Sequence, residues 1–432
     1  MKHFLLILAT SFFLTAIASP AHTLDFTDVH VNLSDAFSVL EGKNEGTTAF
    51  RSLMIPWGGK AESLGTAYTG LADDVSCLEY NPGASAVLAK TEAAIFHNSW
   101  IADSAMESIA ATGRIGNLGL GGAMRCFYIP FSEYNSFGER VAKSYYTETT
   151  VLFNIAYNFF AGYYFKGIAV GLNAKAAWRG VPDYTDNNTD AIIKGSGLSQ
   201  SGLAIAGDAG IMLRFNVGKF FSSRESNFRV GLNILNAGAA ITGFGKRVQL
   251  DDPLPTSATL GISYRMIKPL MLTLEFRQPF NLLNFSEYHM WSAGIGTQVL
   301  VTNFFSVLGG FSLKGANPRI SLGMEFTILK NIQMHVNYTL DLTSSANPVN
   351  RISASAKLLL GDGGRAEKQK RIDELYNRGL AYFVQYDFEA AIACWNEVLT
   401  LDKRFDPAIE GIKSATMELE LFQRIRDAQI LE

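Results

Sequence analysis

Charge is scarce in this chain. Of its 432 residues only 18% are Asp, Glu, Lys or Arg, against about a quarter in ordinary soluble domains. Lys+Arg number 37 and Asp+Glu 40, a formal charge of −3. No basic excess is left to hold a phosphate backbone, so nucleic acid is not an expected partner. Cysteine is equally scarce. Cys77, Cys126 and Cys394 allow at most one intramolecular disulfide, and their wide spacing fits no zinc pattern. The six histidines show no metal-ligand spacing, and no nucleophile–base constellation stands out, so neither enzymatic activity nor a cofactor is expected. Beyond the N-terminus there is no run of roughly 18 apolar residues, the length of a spanning helix, which excludes a polytopic helical membrane protein.

The one apolar run present is Phe4 to Ile17, preceded by Lys2 and His3 and followed by small residues up to Ala21. It reads as a cleaved secretory signal over residues 1–21, with a single anchor helix as the alternative. No Cys follows the small residues, so no lipid anchor is indicated.

From Glu92 to Gly361 one texture repeats: segments of about ten residues with alternating apolar and polar positions, separated by Gly, Asn, Asp or Pro. Leu270, Leu272, Leu274 and Phe276 alternate with Met271, Thr273, Glu275 and Arg277. Ile332, Met334, Val336 and Tyr338 oppose Gln333, His335, Asn337 and Thr339. Counting such segments gives about fourteen antiparallel strands, roughly one per 19 residues, the density of an all-β transmembrane barrel. A soluble sandwich shares the period of two, but would carry more charge on its outer faces. Arg229, Glu275, Arg277, Glu325, His335 and Lys357 fall on the lumen side by parity. Trp100, Tyr145–Tyr146, Phe159–Phe160, Tyr163–Tyr164, Trp291 and Phe304–Phe305 cluster near strand ends, as interfacial girdles do. The stretches 129–146, 180–202 and 242–255 are expected as long extracellular loops. Gly119, Gly121 and Gly122 lie within a strand pattern, so they suggest a kink or bulge rather than a phosphate cradle.

After Gly361 the texture changes. Residues 362–432 lose the alternation, and Leu375, Leu380, Ala391, Trp395, Val398 and Leu399 recur at helical spacing. Leu375, Gly379, Tyr382, Ala391 and Trp395 have the order of a tetratricopeptide helix pair, with a generic amphipathic hairpin as the alternative. An even-stranded barrel returns both ends to one side, so this all-α domain is expected in the periplasm. Tyr376, Tyr382 and Gln385 are its candidate partner-binding residues, for a periplasmic protein.

Residues 22–91 precede the first strand. Within them, Gly58 to Asp74 is rich in small residues, carries the paired acids Asp73 and Asp74, and leads into Tyr80-Asn81-Pro82-Gly83. This segment resembles the N-terminal hatch of the FadL-type long-chain fatty-acid transporters and related PorV-like outer-membrane proteins, with Gly83 where Ala is usual. It is similar also to an uncharacterised set of spirochaete-type FadL relatives that carry a helical extension. The resemblance implies a hatch inside the barrel, uptake of long-chain fatty acids or similar hydrophobic ligands from outside, and lateral release into outer-membrane lipid. Asp73, Asp74, Asn81, Pro82 and Gly83 are then gating candidates, although Asn-Pro could equally just end a short helix. A carboxylate headgroup needs cations, and Lys175, Arg229 and Arg277 are the lumen candidates by parity; an ordinary lumen charge network is the alternative. The competing function is a PorV-like platform for secretion or surface attachment.

Overall fold

The computed structural model describes residues 48–430, except 102, 136, 181–183, 186–191, 194–201, 243–252, 283, 285–289, 315–316, 330 and 343–348. The signal sequence and residues 22–47 therefore lie outside the described residues, as does most of the 180–202 and 242–255 connections.

Alternation of period two produces strands whose two faces differ, and fourteen of them close into one antiparallel barrel. They are β1 (Thr91–Ser99), β2 (Ala105–Ile115), β3 (Leu118–Tyr134), β4 (Arg140–Phe159), β5 (Ile168–Gly180), β6 (Gly202–Phe215), β7 (Phe228–Thr242), β8 (Ser257–Ile267), β9 (Leu270–Pro279), β10 (Ser292–Thr302), β11 (Phe305–Lys314), β12 (Asn317–Ile328), β13 (Ile332–Asp341) and β14 (Val349–Gly361). Each pairs with its chain neighbour, and β1 closes the ring against β14, with Ile95 opposite Ala356. Both ends of the barrel sequence therefore meet at one rim, here the near rim; the far rim lies opposite.

Parity runs as the sequence predicts. Ile95, Ile109, Phe153, Leu172, Leu274 and Leu322 point outward and are 53% to 69% exposed, a continuous apolar belt around the barrel. Inward positions are mostly small or polar, with Phe96, Leu152, Met212, Met271 and Leu308 packed against the plug. Two expectations are corrected. The 129–146 stretch is mostly strand, because the β3–β4 hairpin continues to a tight turn after Tyr134. No kink occurs at Gly119, Gly121 or Gly122, since the ladders to β2 and β4 pass them without a register shift. Among the described residues, the one shift in mid-strand lies between β6 and β7, at Asp208 and Leu235–Asn236; the others sit at strand ends.

Residues 50–88 fill the lumen as a plug. It has only short helical turns, including α1 (Lys60–Ser63) and α2 (Cys77–Tyr80), yet Leu64, Tyr68, Leu71, Val75 and Leu78 are wholly buried. Each such large side chain contributes about 1.5–3 kcal/mol. The wall approaches so closely because glycine faces inward. A Cβ on Gly261 would stand 2.5 Å from the Gly70 nitrogen, and one on Gly119 would collide with Ser85 and Ala86 backbone. Close approach, rather than bending, is what Gly119 serves.

Three helices follow the barrel: α3 (Arg365–Val384), α4 (Phe388–Leu401) and α5 (Asp406–Ile430). Their core is Trp395, seated against Gly379 and Gly411, with Leu375, Ala391 and Phe405. They contact the near rim. Arg365 donates to the Arg114 and Ala89 carbonyls at 2.8 Å, Arg224 pairs with Asp373, and Tyr163 packs on Phe405 at 4.9 Å. Tyr376 and Tyr382 pack into the helical core rather than facing outward, because Trp395 and Phe405 need aromatic cover; Gln385 remains exposed. Trp100 and Tyr163 likewise leave the expected girdle, Trp100 turning inward to stack under Arg351 at 4.0 Å.

Candidate functional site: the plug latch and the vestibule above it

A plug with little regular secondary structure has few internal partners for its backbone, so the wall must supply them. Asparagines at inward positions do this. Asn154 of β4 donates to the Pro82 carbonyl at 3.2 Å and accepts from Ser85 Oγ at 2.6 Å, and Asn173 of β5 donates to the Leu78 carbonyl at 2.8 Å. Asn98 of β1 donates to the Pro56 carbonyl at 2.7 Å, and Asn233 of β7 to Tyr80. Glu275 of β9 accepts from the Tyr68 and Thr69 N–H groups at 3.0 and 2.9 Å. Sequence reading passed over these asparagines. Their signal was parity, a polar amide recurring on the inward side of β1, β4, β5, β7 and β13.

The gating candidates sit in this contact zone. Asn81 donates to Thr69 within the plug at 3.1 Å and to Ile211 in the wall at 3.0 Å, while its Oδ1 accepts from Gly83 N–H at 3.2 Å. Pro82 and Gly83 lie against Gly171 and Gly210, where a side chain on the wall would strike backbone. Asp73 pairs with Lys60 at 2.8 Å and accepts from the Tyr68 hydroxyl. Asp74 pairs with Lys357 of β14 at 2.6 Å. Burial opposes both charges, but Lys60 for Asp73 and Lys357 for Asp74 outweigh it and hold both carboxyls below their ordinary range.

Glu79 behaves oppositely. Burial raises its carboxyl to about 7, against the pull of Arg125 at 3.6 Å and the Trp57 N–H at 3.2 Å. A raised carboxyl pKa favours the folded state while protonated. Its contribution is therefore complete below the ordinary value of 4.5 and is lost as pH rises through about 7. Plug stability is expected to fall by about 1 kcal/mol or more between pH 5 and 8. Glu79→Gln is expected to flatten that slope, measured by thermal unfolding followed through Trp57 fluorescence; an unchanged slope would assign it to another group.

Above the plug, toward the far rim, lies a vestibule of about 410 Å³. Leu53, Ile55, Trp100, Phe127 and Leu235 give it apolar walls, and Arg51, Lys175, Arg277, Lys314, Arg319 and Arg351 bring cations to it. Most of these have partners: Lys175 with Asp208 at 2.7 Å, Arg277 with Glu275 at 2.9 Å, and Arg319 with Asp341 at 2.8 Å. Arg351 is 2% exposed; its Nη2 lies 3.5 Å from Asp341 and 3.8 Å from Glu62, while its Nε and Nη1 have no hydrogen-bond partner. The three candidate headgroup cations lie at two levels of the lumen. Lys175 and Arg277 line the vestibule, whereas Arg229 lies below the plug at the near rim and donates to the Leu71 carbonyl at 2.9 Å. Lys175 also pins the irregular point of the wall: it donates to Asn236 Oδ1 at 2.8 Å, and Asp208 accepts the Asn236 N–H at 2.7 Å. No group of three or more His, Cys, Asp or Glu capable of holding a metal occurs among the described residues.

Fold and site together define a closed fourteen-stranded antiparallel barrel with an internal plug and a near-rim helical segment. The chain belongs to the Uncharacterised protein family (UPF0164), whose model matches residues 28–363, a stretch that takes in the described plug and all fourteen strands. A UPF0164 protein of Treponema pallidum (strain Nichols) is 29% identical over 404 residues, 90% of this chain and 88% of the relative. A second from the same organism is 27% identical over 394 residues, 88% of this chain and 78% of the relative. Among solved structures, the Ralstonia pickettii toluene transporter TbuX aligns with a TM-score of 0.47 at 13% identity, over 70% of this chain and 98% of that one. A deltaS2 mutant of the TodX monoaromatic hydrocarbon channel aligns at 0.45 and 11%, with the same coverage.

Proposed function

We propose that this protein is an outer-membrane channel of FadL type that takes up amphiphilic molecules, long-chain fatty acids among them, through the vestibule and past a movable plug. The apolar outward belt supports residence in a lipid bilayer, with the near rim and helices α3–α5 periplasmic and the far rim extracellular. The observation that carries the reading is the vestibule, where apolar walls stand beside cations. An acyl chain gains about 0.8 kcal/mol per buried CH₂, and the Nε and Nη1 of Arg351, left without hydrogen bonds beside its ion pairs to Asp341 and Glu62, suit a carboxylate. Release would follow displacement of the plug latch at Asp73, Asp74 and Asn81. The β6–β7 irregularity, which borders the vestibule through Leu235 and Asn236, offers a place for lateral exit into lipid.

The test is equilibrium binding of a fluorescent long-chain fatty acid to detergent-folded protein. Saturable binding, displaced by unlabelled fatty acid and weakened about tenfold by Arg351→Gln, is the expected result. Absence of binding by the folded barrel would overturn it.

A second reading, a PorV-like docking platform, has one observation in its favour. Met417, Leu421 and Ile425 form an exposed apolar stripe along α5, at 63%, 51% and 47% exposure. Under that reading Leu421→Glu with Ile425→Glu abolishes capture of a periplasmic partner and leaves fatty-acid binding unchanged.

A further inference from the structure

The near mouth of the lumen, on the other side of the plug from the vestibule, gathers arginines without carboxylates. Register places Arg214 of β6 directly opposite Arg229 of β7. Like charges directly opposite each other destabilise a sheet. Arg265 follows on β8, where Ser263 pairs with Arg229. Arg114 of β2 lies across the mouth within electrostatic reach of Arg214, and Arg365 of α3 rests on Arg114.

Backbone carbonyls hold these groups. Arg214 donates to Lys166 at 2.7 Å, Arg114 to Gly116 at 2.7 Å, Arg229 to Leu71 at 2.9 Å, and Arg365 to Arg114 and Ala89 at 2.8 Å. Carbonyls orient a guanidinium without neutralising it. The Nε atoms of Arg214 and Arg265 are buried and have no partner. Acids nearby are committed or remote: Asp73, which feels Arg229, is held by Lys60, and Glu225, which feels Arg214, stands exposed in the β6–β7 turn. No ion pair to Arg114, Arg214, Arg229 or Arg265 is formed among the described residues.

We propose that Arg114, Arg214, Arg229 and Arg265 form a phosphoryl-binding site at the near mouth of the barrel. Several guanidinia that lack a counter-charge call for more than one carboxylate could supply, and phosphate offers a dianion with oxygens that match the guanidinium fork. The site does not depend on the vestibule or on the transport reading. Its ligand is inorganic phosphate or the phosphate of a lipid headgroup.

The experiment uses full-length protein in a maltoside detergent, free of phosphate and phospholipid. Calorimetric titration with inorganic phosphate, and separately with a short-chain phosphatidic acid, is expected to give saturable binding. Similar affinities identify the free anion as sufficient; at least tenfold tighter binding of the phosphatidic acid identifies a lipid headgroup. Arg214→Gln and Arg265→Gln are each expected to weaken binding about tenfold or more. A second readout guards against misfolding. Without phosphate, Arg214→Gln is expected to leave the melting temperature unchanged or raise it, because a repulsion is relieved, while phosphate raises that of the unaltered protein alone. Failure of the unaltered protein to bind either probe, or equal binding by both variants, would overturn the proposal.

Discussion

Gly231→Val is expected to unseat the plug while leaving the barrel closed. A Cβ at Gly231 would collide with the carbonyl of Thr69, and with the Asn81 amide 2.8 Å away. Neither can retreat. Thr69 is held by Glu275 through its N–H, and Asn81 is bonded at both ends of its amide. Backbone against backbone has no rotamer to change, so the clash is relieved only by moving the plug outward from β7. That severs the bonds of Asn81 and Asn233 and exposes buried groups that cost about 1–3 kcal/mol each when unsatisfied. The loss is expected to exceed 4 kcal/mol in plug docking, within the upper range for a single substitution. Reconstituted in planar bilayers, Gly231→Val is expected to show a large, steady conductance where the unaltered protein is nearly closed. An outward-facing control, Gly122→Ala, meets nothing nearer than 3.5 Å apart from its own chain neighbours and is expected to stay closed. Equal conductance in all three would remove the plug from any role in closure.

Much of the barrel was legible because a barrel wall with unlike faces writes its period directly into sequence. Ile332 to Asp341 alternates without exception, and the same residues face outward and into the lumen in the structure. Strand count followed from spacing and agrees with the fourteen of the closed ring. The limits of the β3–β4 hairpin were not legible. Near the hairpin tip apolar and polar residues mix on both faces, with Phe131 and Tyr134 beside Ser132 and Glu133, so alternation fades although pairing continues from Ile129–Tyr146 to Tyr134–Arg140. The bulge near Asn236 was hidden for a different reason: an extra residue shifts parity by one, and Leu235-Asn236-Ala237 still reads as strand.

The site was legible in part. Asn81 and the acid pair stood out against a run of small residues, whereas their partners are scattered over the chain. Lys357 lies 283 positions from Asp74, and nothing local marks it as that residue's counter-charge. Glycine was read through backbone freedom, yet Gly119 and Gly231 have a different task, leaving room for another segment's main chain. The candidate cations picked out by parity occupy two levels of the lumen, because parity gives the face of a strand and not the height along it.

The Asp74–Lys357 pair shows how that long-range contact controls the plug, and its removal has the second large expected effect. Both side chains are nearly inaccessible, and they meet at 2.6 Å, with Glu325 3.8 Å from the same ammonium. Lys357→Met removes the main cation that holds Asp74 below the ordinary carboxylate range, leaving two carboxylates and Glu92 close to each other in a buried site. Breaking a buried pair from one side costs about 3–5 kcal/mol. The plug segment around Asp74 is therefore expected to become protease-sensitive in Lys357→Met at pH 8. Acid is expected to restore protection, since protonating the stranded carboxylates removes their repulsion, whereas the unaltered protein loses this pair as pH falls. Combining Lys357→Met with Asp74→Asn is expected to recover part of the lost stability at pH 8, because the carboxylate nearest the lost ammonium is then neutral and only Glu325 and Glu92 remain without it. If the double variant is as labile as the single one, the pair acts by shape alone, and the electrostatic account of the latch fails.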